Sequence, residues 1–153
     1  MKNFNQKGIT LLEILIAIAV VGILAVTVLP GFSKIKKIQV LKSATEDIVS
    51  VIGEARSKTL ASLDSSIYGV HFETNKVIIF KGTSYSVDSV DNQTTDLISP
   101  ATISSINLSN SGVNLYFNRL SGLPNTSGTV SVSVPDLTAK TITISATGFA
   151  SVN

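Results

Sequence analysis

Cysteine is absent from all 153 residues. The chain therefore has neither a lipoprotein anchor nor a disulfide, and its core must stand on packing alone. Histidine occurs once, as His71. A lone histidine with no thiol to join it cannot assemble a metal set, so no metal and no cofactor are expected. There is no Gly-x-Ser-x-Gly elbow and no phosphate loop ending in Gly-Lys-Ser/Thr, so no catalytic residue can be named and the chain is not read as an enzyme. Charge of either sign is also missing from residues 14–29.

The charges that remain are unevenly placed. Up to Leu63 the chain carries eight basic and four acidic residues; from Asp64 onward it has four basic residues (Lys76, Lys81, Arg119, Lys140) and six acidic ones. A slightly acidic distal half without clustered arginine or lysine cannot draw much affinity from counterion release, so DNA is not an expected partner.

The uncharged run sits inside a longer apolar stretch, residues 9–29, broken only by Thr10, Glu13, Gly22 and Thr27. A helix of this length spans about 30 Å, enough to cross a bilayer core. Glu13 is out of place in such a span: an ionised carboxylate costs about 2–3 kcal/mol at mid-bilayer, so it calls for shallow placement or a positive partner. Before the stretch lie eight residues containing Lys2 and Lys7 and ending in Gly8. Gly8 lacks a side chain, which lets a protease hold its backbone closely. Cleavage after it would create a cationic α-amine on Ile9, four residues before Glu13. A cleavable secretory signal fits less well, because its apolar region is about 7–15 residues and ends in a small-x-small site.

The series Gly8, Ile9, Thr10, Leu11, Leu12, Glu13, with Gly22 and Pro30 beyond it, resembles the prepilin N-terminus of type IV pilins and type II secretion pseudopilins. Ile9 departs from the phenylalanine usual there. The resemblance implies cleavage between Gly8 and Ile9 by a prepilin peptidase, N-methylation of Ile9, and pairing of Glu13 with the α-amine of an adjoining subunit. It also implies helix flexibility at Gly22 and Pro30. The implied partners are the peptidase, other pilins or pseudopilins of the filament, the inner-membrane assembly platform, and membrane lipid before assembly. The implied location is the cytoplasmic (inner) membrane, single-pass, with the C-terminal domain periplasmic or extracellular.

Beyond Pro30 and Gly31, apolar residues recur at Ile35, Ile38, Leu41, Ala44 or Ile48, Ile52, Ala55 and Leu60, the spacing of an amphipathic helix reaching about Leu63. Glu54 and Lys58 are spaced to pair on its exposed face. From residue 65 the texture changes to β-branched and aromatic runs at 67–73, 76–81, 84–90, 102–108, 113–120, 129–134 and 141–146, bounded by Asn, Gly, Ser and Pro. The first two runs flank Thr74 and Asn75 as a tight hairpin, with Tyr68, Val70, Phe72, Val77 and Ile79 on one buried face. His71 faces away from Val70 and Phe72, beside Glu73, and is expected to be exposed or at a sheet edge. The expected fold is α+β: a long N-terminal helix, membrane-embedded in its first half, packed on a small antiparallel β-sheet domain. The expected segments are a leader at 1–8, an assembly helix at 9–30, its amphipathic continuation at 31–63 and a β-rich domain at 64–153.

A finer resemblance rests on Glu54-Ala55-Arg56, the strand pair from Tyr68 to Phe80, Leu115 to Arg119 with Ser121 and Gly122, and Ile142-Thr143-Ile144 before Gly148. These are similar to the GspH/FimT group of minor pseudopilins. Some FimT-like proteins take up DNA through arginines after that glycine, whereas this chain reads Gly148-Phe149-Ala150-Ser151. Two other readings stand beside a structural subunit: a DNA-uptake or ligand-binding minor pilin at the filament tip, and a simple single-pass membrane-anchored β domain.

Overall fold

A computed structural model describes residues 10–153, with backbone only for 27–31. The described residues carry one long helix, α1 (Leu11–Leu60), a short 3-10 turn (Leu63–Ser65) and eight strands. The strands are β1 (Tyr68–Phe72), β2 (Lys76–Lys81), β3 (Gln93–Asp96), β4 (Thr102–Leu108), β5 (Asn114–Tyr116), β6 (Gly128–Ser133), β7 (Lys140–Ile144) and β8 (Ala150–Val152). Two compact units divide the chain, one up to Lys36 and one from Lys37 to Asn153.

In the second unit, the α1 residues Leu41, Ala44, Ile48, Val51, Ile52 and Ala55 are buried in one core with residues of both sheets. Their spacing of three and four keeps them on one helix face. The expected stripe was longer: Ile35, Ile38 and Leu60 are exposed, so the buried face begins at Leu41. Glu54 and Lys58 pair at 2.7 Å, as their spacing predicts.

The strands form two four-stranded antiparallel sheets, ordered β3-β2-β1-β5 and β4-β6-β7-β8. The β1–β2 hairpin sets Phe72 opposite Val77 and Val70 opposite Ile79, the pairing that the alternation predicts. Its other face is covered too, because Ile78 and Phe80 are also buried. Gly69 makes room there: a Cβ on it would stand 2.5 Å from the Phe80 ring. Val130, Val132, Ile142 and Ile144 supply the core face of the second sheet.

One expectation fails locally. The run 84–90 is not a strand; Tyr85 within it stacks on His71, with ring centroids 3.8 Å apart and planes 8° from parallel. The outer neighbour of β2 is the polar β3, which no apolar run signals, held through backbone pairing of Lys76 with Asp96 and Ile79 with Gln93.

Buried Thr59 fastens the end of α1 to β1. Its hydroxyl lies 2.9 Å from the Ala55 carbonyl and 2.9 Å from the Tyr68 N–H, which donates to it.

Candidate functional site

The N-terminal motif begins outside the described residues, so the expected cleavage pair Gly8 and Ile9 lies beyond them. Thr10 opens the helix: its carbonyl accepts the N–H groups of Glu13 (3.1 Å) and Ile14 (3.3 Å), and its Oγ1 accepts that of Glu13 at 3.3 Å. This is the first half of a capping box, Thr-x-x-Glu, in which the hydroxyl satisfies a donor that the helix start leaves free. Glu13 therefore stands in the first turn of α1, where a carboxylate complements the partial positive charge of the helix end. The Thr-x-x-Glu spacing was readable in the sequence and is a second reason for an acid at this position.

From Leu11 to Val26, Glu13 apart, the helix is apolar on every side. Leu12, Leu15, Ile18, Val21 and Val26 are all more than half exposed. A helix apolar all round belongs in a non-aqueous setting, lipid or other helices. Among the described residues no helix is long and apolar enough to cross a membrane. The expected span, 9–29, runs past them at its first residue and, for side chains, at its end. A Cβ on Gly22 would have nothing within 4 Å, and α1 continues as helix through Pro30. Proline has no N–H to give the carbonyl four residues back, so one helical hydrogen bond is missing there.

The distal unit contains three polar constellations. His71 is not at a sheet edge, since β1 lies between β2 and β5. Its Nδ1 is 2.6 Å from Asn114 Oδ1, and its Nε2 is 3.6 Å from Glu73 Oε1, so it does lie beside Glu73 as expected. The second joins Asp64, Tyr68 and Lys81. The Tyr68 hydroxyl donates to Asp64 at 3.0 Å and Lys81 Nζ donates at 3.3 Å. Together these hold the Asp64 carboxyl below its ordinary range, the tyrosine bond contributing most. Burial, then the same bond, pushes Tyr68 up, and Asp64 raises Lys81.

The third gathers residues far apart in sequence at the C-terminal end of α1. Arg56 Nε donates to the Gly122 carbonyl at 3.1 Å, and its guanidinium lies 4.5 Å from the centre of the Phe149 ring. Gly148 adopts φ +86°, and a Cβ there would meet the Gly122 carbonyl oxygen at 2.6 Å. Arg119 reaches back to the Ser65 carbonyl at 2.9 Å. The helix end, the loop after β5 and the turn before β8 thus meet around one arginine. Arg56, Gly122 and Gly148 stand far apart in the sequence, and nothing there signals that they meet or that Phe149 joins them. An open cleft of about 330 Å³, lined by Asn110, Asn125 and Thr126 among others, has no charged residue in its lining.

No curated protein and no solved structure matches the chain. Residues 3–29 match the family model described as the prokaryotic N-terminal methylation motif. That match covers Gly8, Ile9, Glu13 and Gly22 and ends one residue before Pro30. The chain thus carries this motif at the start of a long helix whose distal part packs on a small antiparallel β domain, an arrangement consistent with the α+β fold of type IV pilins.

Proposed function

We infer that the chain is a minor pilin or pseudopilin of a type IV pilus or type II secretion filament, of the GspH/FimT kind. The observation that carries this reading is the methylation motif at residues 3–29, placed so that Glu13 falls in the first turn of a long helix. A prepilin peptidase cuts after Gly8 and Ile9 is methylated. Before assembly, the apolar stretch holds the chain in the inner membrane as a single span, with the β domain on the far side. On assembly, the exposed apolar side chains from Leu11 to Val26 exchange lipid for neighbouring helices.

Glu13 then neutralises the α-amine of the next subunit. A dry filament interior strengthens that attraction, and leaving either charge unpaired there is costly. Gly22 and Pro30 let the helix loosen as subunits pack: glycine is the least helix-favouring residue after proline, and proline removes one hydrogen bond.

The variant Glu13→Ala tests the assignment. Cleavage should proceed as in the parent, because the scissile bond is untouched, while recovery in sheared filaments falls at least tenfold. Wild-type recovery of that variant would sink the charge pairing. An intact leader in cells with active peptidase would leave the plain membrane-anchored β domain as the reading.

A further inference from the structure

The pole of the distal unit around Arg56 exposes large apolar side chains beside two arginines. Leu120, Leu123 and Phe149 are exposed there, at 88%, 45% and 65%, and Leu60 stands against Gly122 beside them. Leu120 has φ +67°, a left-handed conformation disfavoured for a residue with a Cβ. Ser62, Asp64 and Ser65, under the same loop, also have positive φ. Strain of this kind concentrates where backbone is shaped for a ligand.

The chain has two arginines, and both lie here. Among the described residues neither has a carboxylate within ion-pairing distance. Each uses one nitrogen on a backbone carbonyl, leaving the rest of a planar fork free.

The complementary surface is on the same unit. The loop 84–92 exposes Val87 (74%) and Val90 (98%), interleaved with Asp88 and Asp91. Among the described residues these two carboxylates also lack a cation within ion-pairing distance, and Asp91 acts on Lys81 only at longer range, helping to hold it above its ordinary value. The loop is held in shape: Tyr85 stacks on His71, and Asn92 Nδ2 donates to the Ser86 carbonyl at 2.8 Å. A preformed loop loses little entropy on docking.

We propose that the pole around Arg56 and Arg119 is a docking surface for the 84–92 loop of a second copy of the chain. Two valines cover the exposed leucines and Phe149 while two aspartates meet two arginines. The contact joins two different surfaces, so it repeats from copy to copy unless two copies close reciprocally, pole to loop and loop to pole; cross-linked products larger than a dimer mark the repeating form. The inference deepens the filament reading by naming a neighbour, and it stands on surfaces remote from the N-terminal motif.

Thiol cross-linking of the full-length chain in its own membrane tests this, because the parent has no cysteine to interfere. With a short bismaleimide, the double variant Leu120→Cys/Val90→Cys should give dimers and higher multimers. Either single variant alone should give at least fivefold less. A second pair, Leu123→Cys with Val87→Cys, guards against an ill-placed thiol. Arg119→Glu should cut the yield at least fivefold, and adding Asp91→Arg should restore it. Absence of cross-links from both pairs, equal yield from Leu120→Cys alone, or products only with another protein would overturn the proposal. The N-terminal mass from the same extract keeps the readings apart. A chain starting at Ile9 without cross-links retains the filament reading and removes the docking; cross-links with Met1 intact do the reverse.

Discussion

Replacing Thr59 by valine keeps the side chain's shape and removes one oxygen. That oxygen is the acceptor for the Tyr68 N–H at 2.9 Å, in a site where Thr59 is fully buried. A buried donor left without a partner costs about 1–3 kcal/mol, so we expect about 2 kcal/mol of lost stability in the unit from Lys37 to Asn153. For a domain of this size the melting temperature should fall by about 8 °C. Thr45→Val is the control. Thr45 is equally buried, but its hydroxyl only donates back to the Leu41 and Lys42 carbonyls of its own helix. Removing that back-bond strands no donor, so its effect should stay within about 0.5 kcal/mol. Urea unfolding of the detergent-extracted chain can be followed by tyrosine fluorescence, since Tyr68, Tyr85 and Tyr116 report without tryptophan. Equal midpoint shifts for the two variants, or a shift under about 0.5 kcal/mol for Thr59→Val, would refute the view that this hydroxyl joins helix to sheet.

Gly148→Ala should destabilise by about 2 kcal/mol or more, because φ +86° and the nearby Gly122 carbonyl both oppose a Cβ; limited proteolysis of the C-terminal segment would show it. Gly22→Ala should instead be neutral or raise helix stability by up to about 1 kcal/mol, since nothing surrounds that position. Reduced filament recovery of a well-folded Gly22→Ala chain would then report lost flexibility, and unchanged recovery would argue against that role. Asp64 and Asp136 titrate below their ordinary value of 3.8 in the folded chain, held down chiefly by Tyr68 and by Lys37 respectively. Their contribution to stability is present above that pH and is lost as pH falls through the folded values. Lys81 and Tyr68 titrate above their ordinary 10.5 and 10.0, so their contribution holds below those values and is lost as pH rises through the folded ones. Unfolding midpoints measured from pH 2 to 12 should therefore drop at both ends, and Asp64→Asn should flatten both drops.

Much of the distal fold was legible because its signals are local. Alternation of Val70, Phe72, Val77 and Ile79 sets the hairpin register, and the helix stripe from Leu41 to Ala55 follows from side-chain period. What misled was side-chain pattern used for another purpose. The run 84–90 alternates like a strand, yet Tyr85 covers His71 and Phe80 from a loop. Residues Gln93 to Asp96 form a strand through backbone bonds, which polar side chains do not advertise. Division of the strands into two sheets depends on pairings between distant segments, such as β1 with β5. The same limit hid the third constellation: Arg56, Gly122 and Phe149 are neighbours only once the helix end, a loop and the last turn have met. Glu13, by contrast, was visible from one dimension, because a charge inside an apolar run needs no fold to be noticed.

In the proposed function, removal of residues 1–8 creates the amine that Glu13 answers. Intact-mass spectrometry of the chain extracted from membranes of cells with active prepilin peptidase measures this directly. The predicted result is a polypeptide beginning at Ile9, heavier by one methyl group where Ile9 is modified. A chain that retains Met1 to Gly8 under those conditions would contradict it.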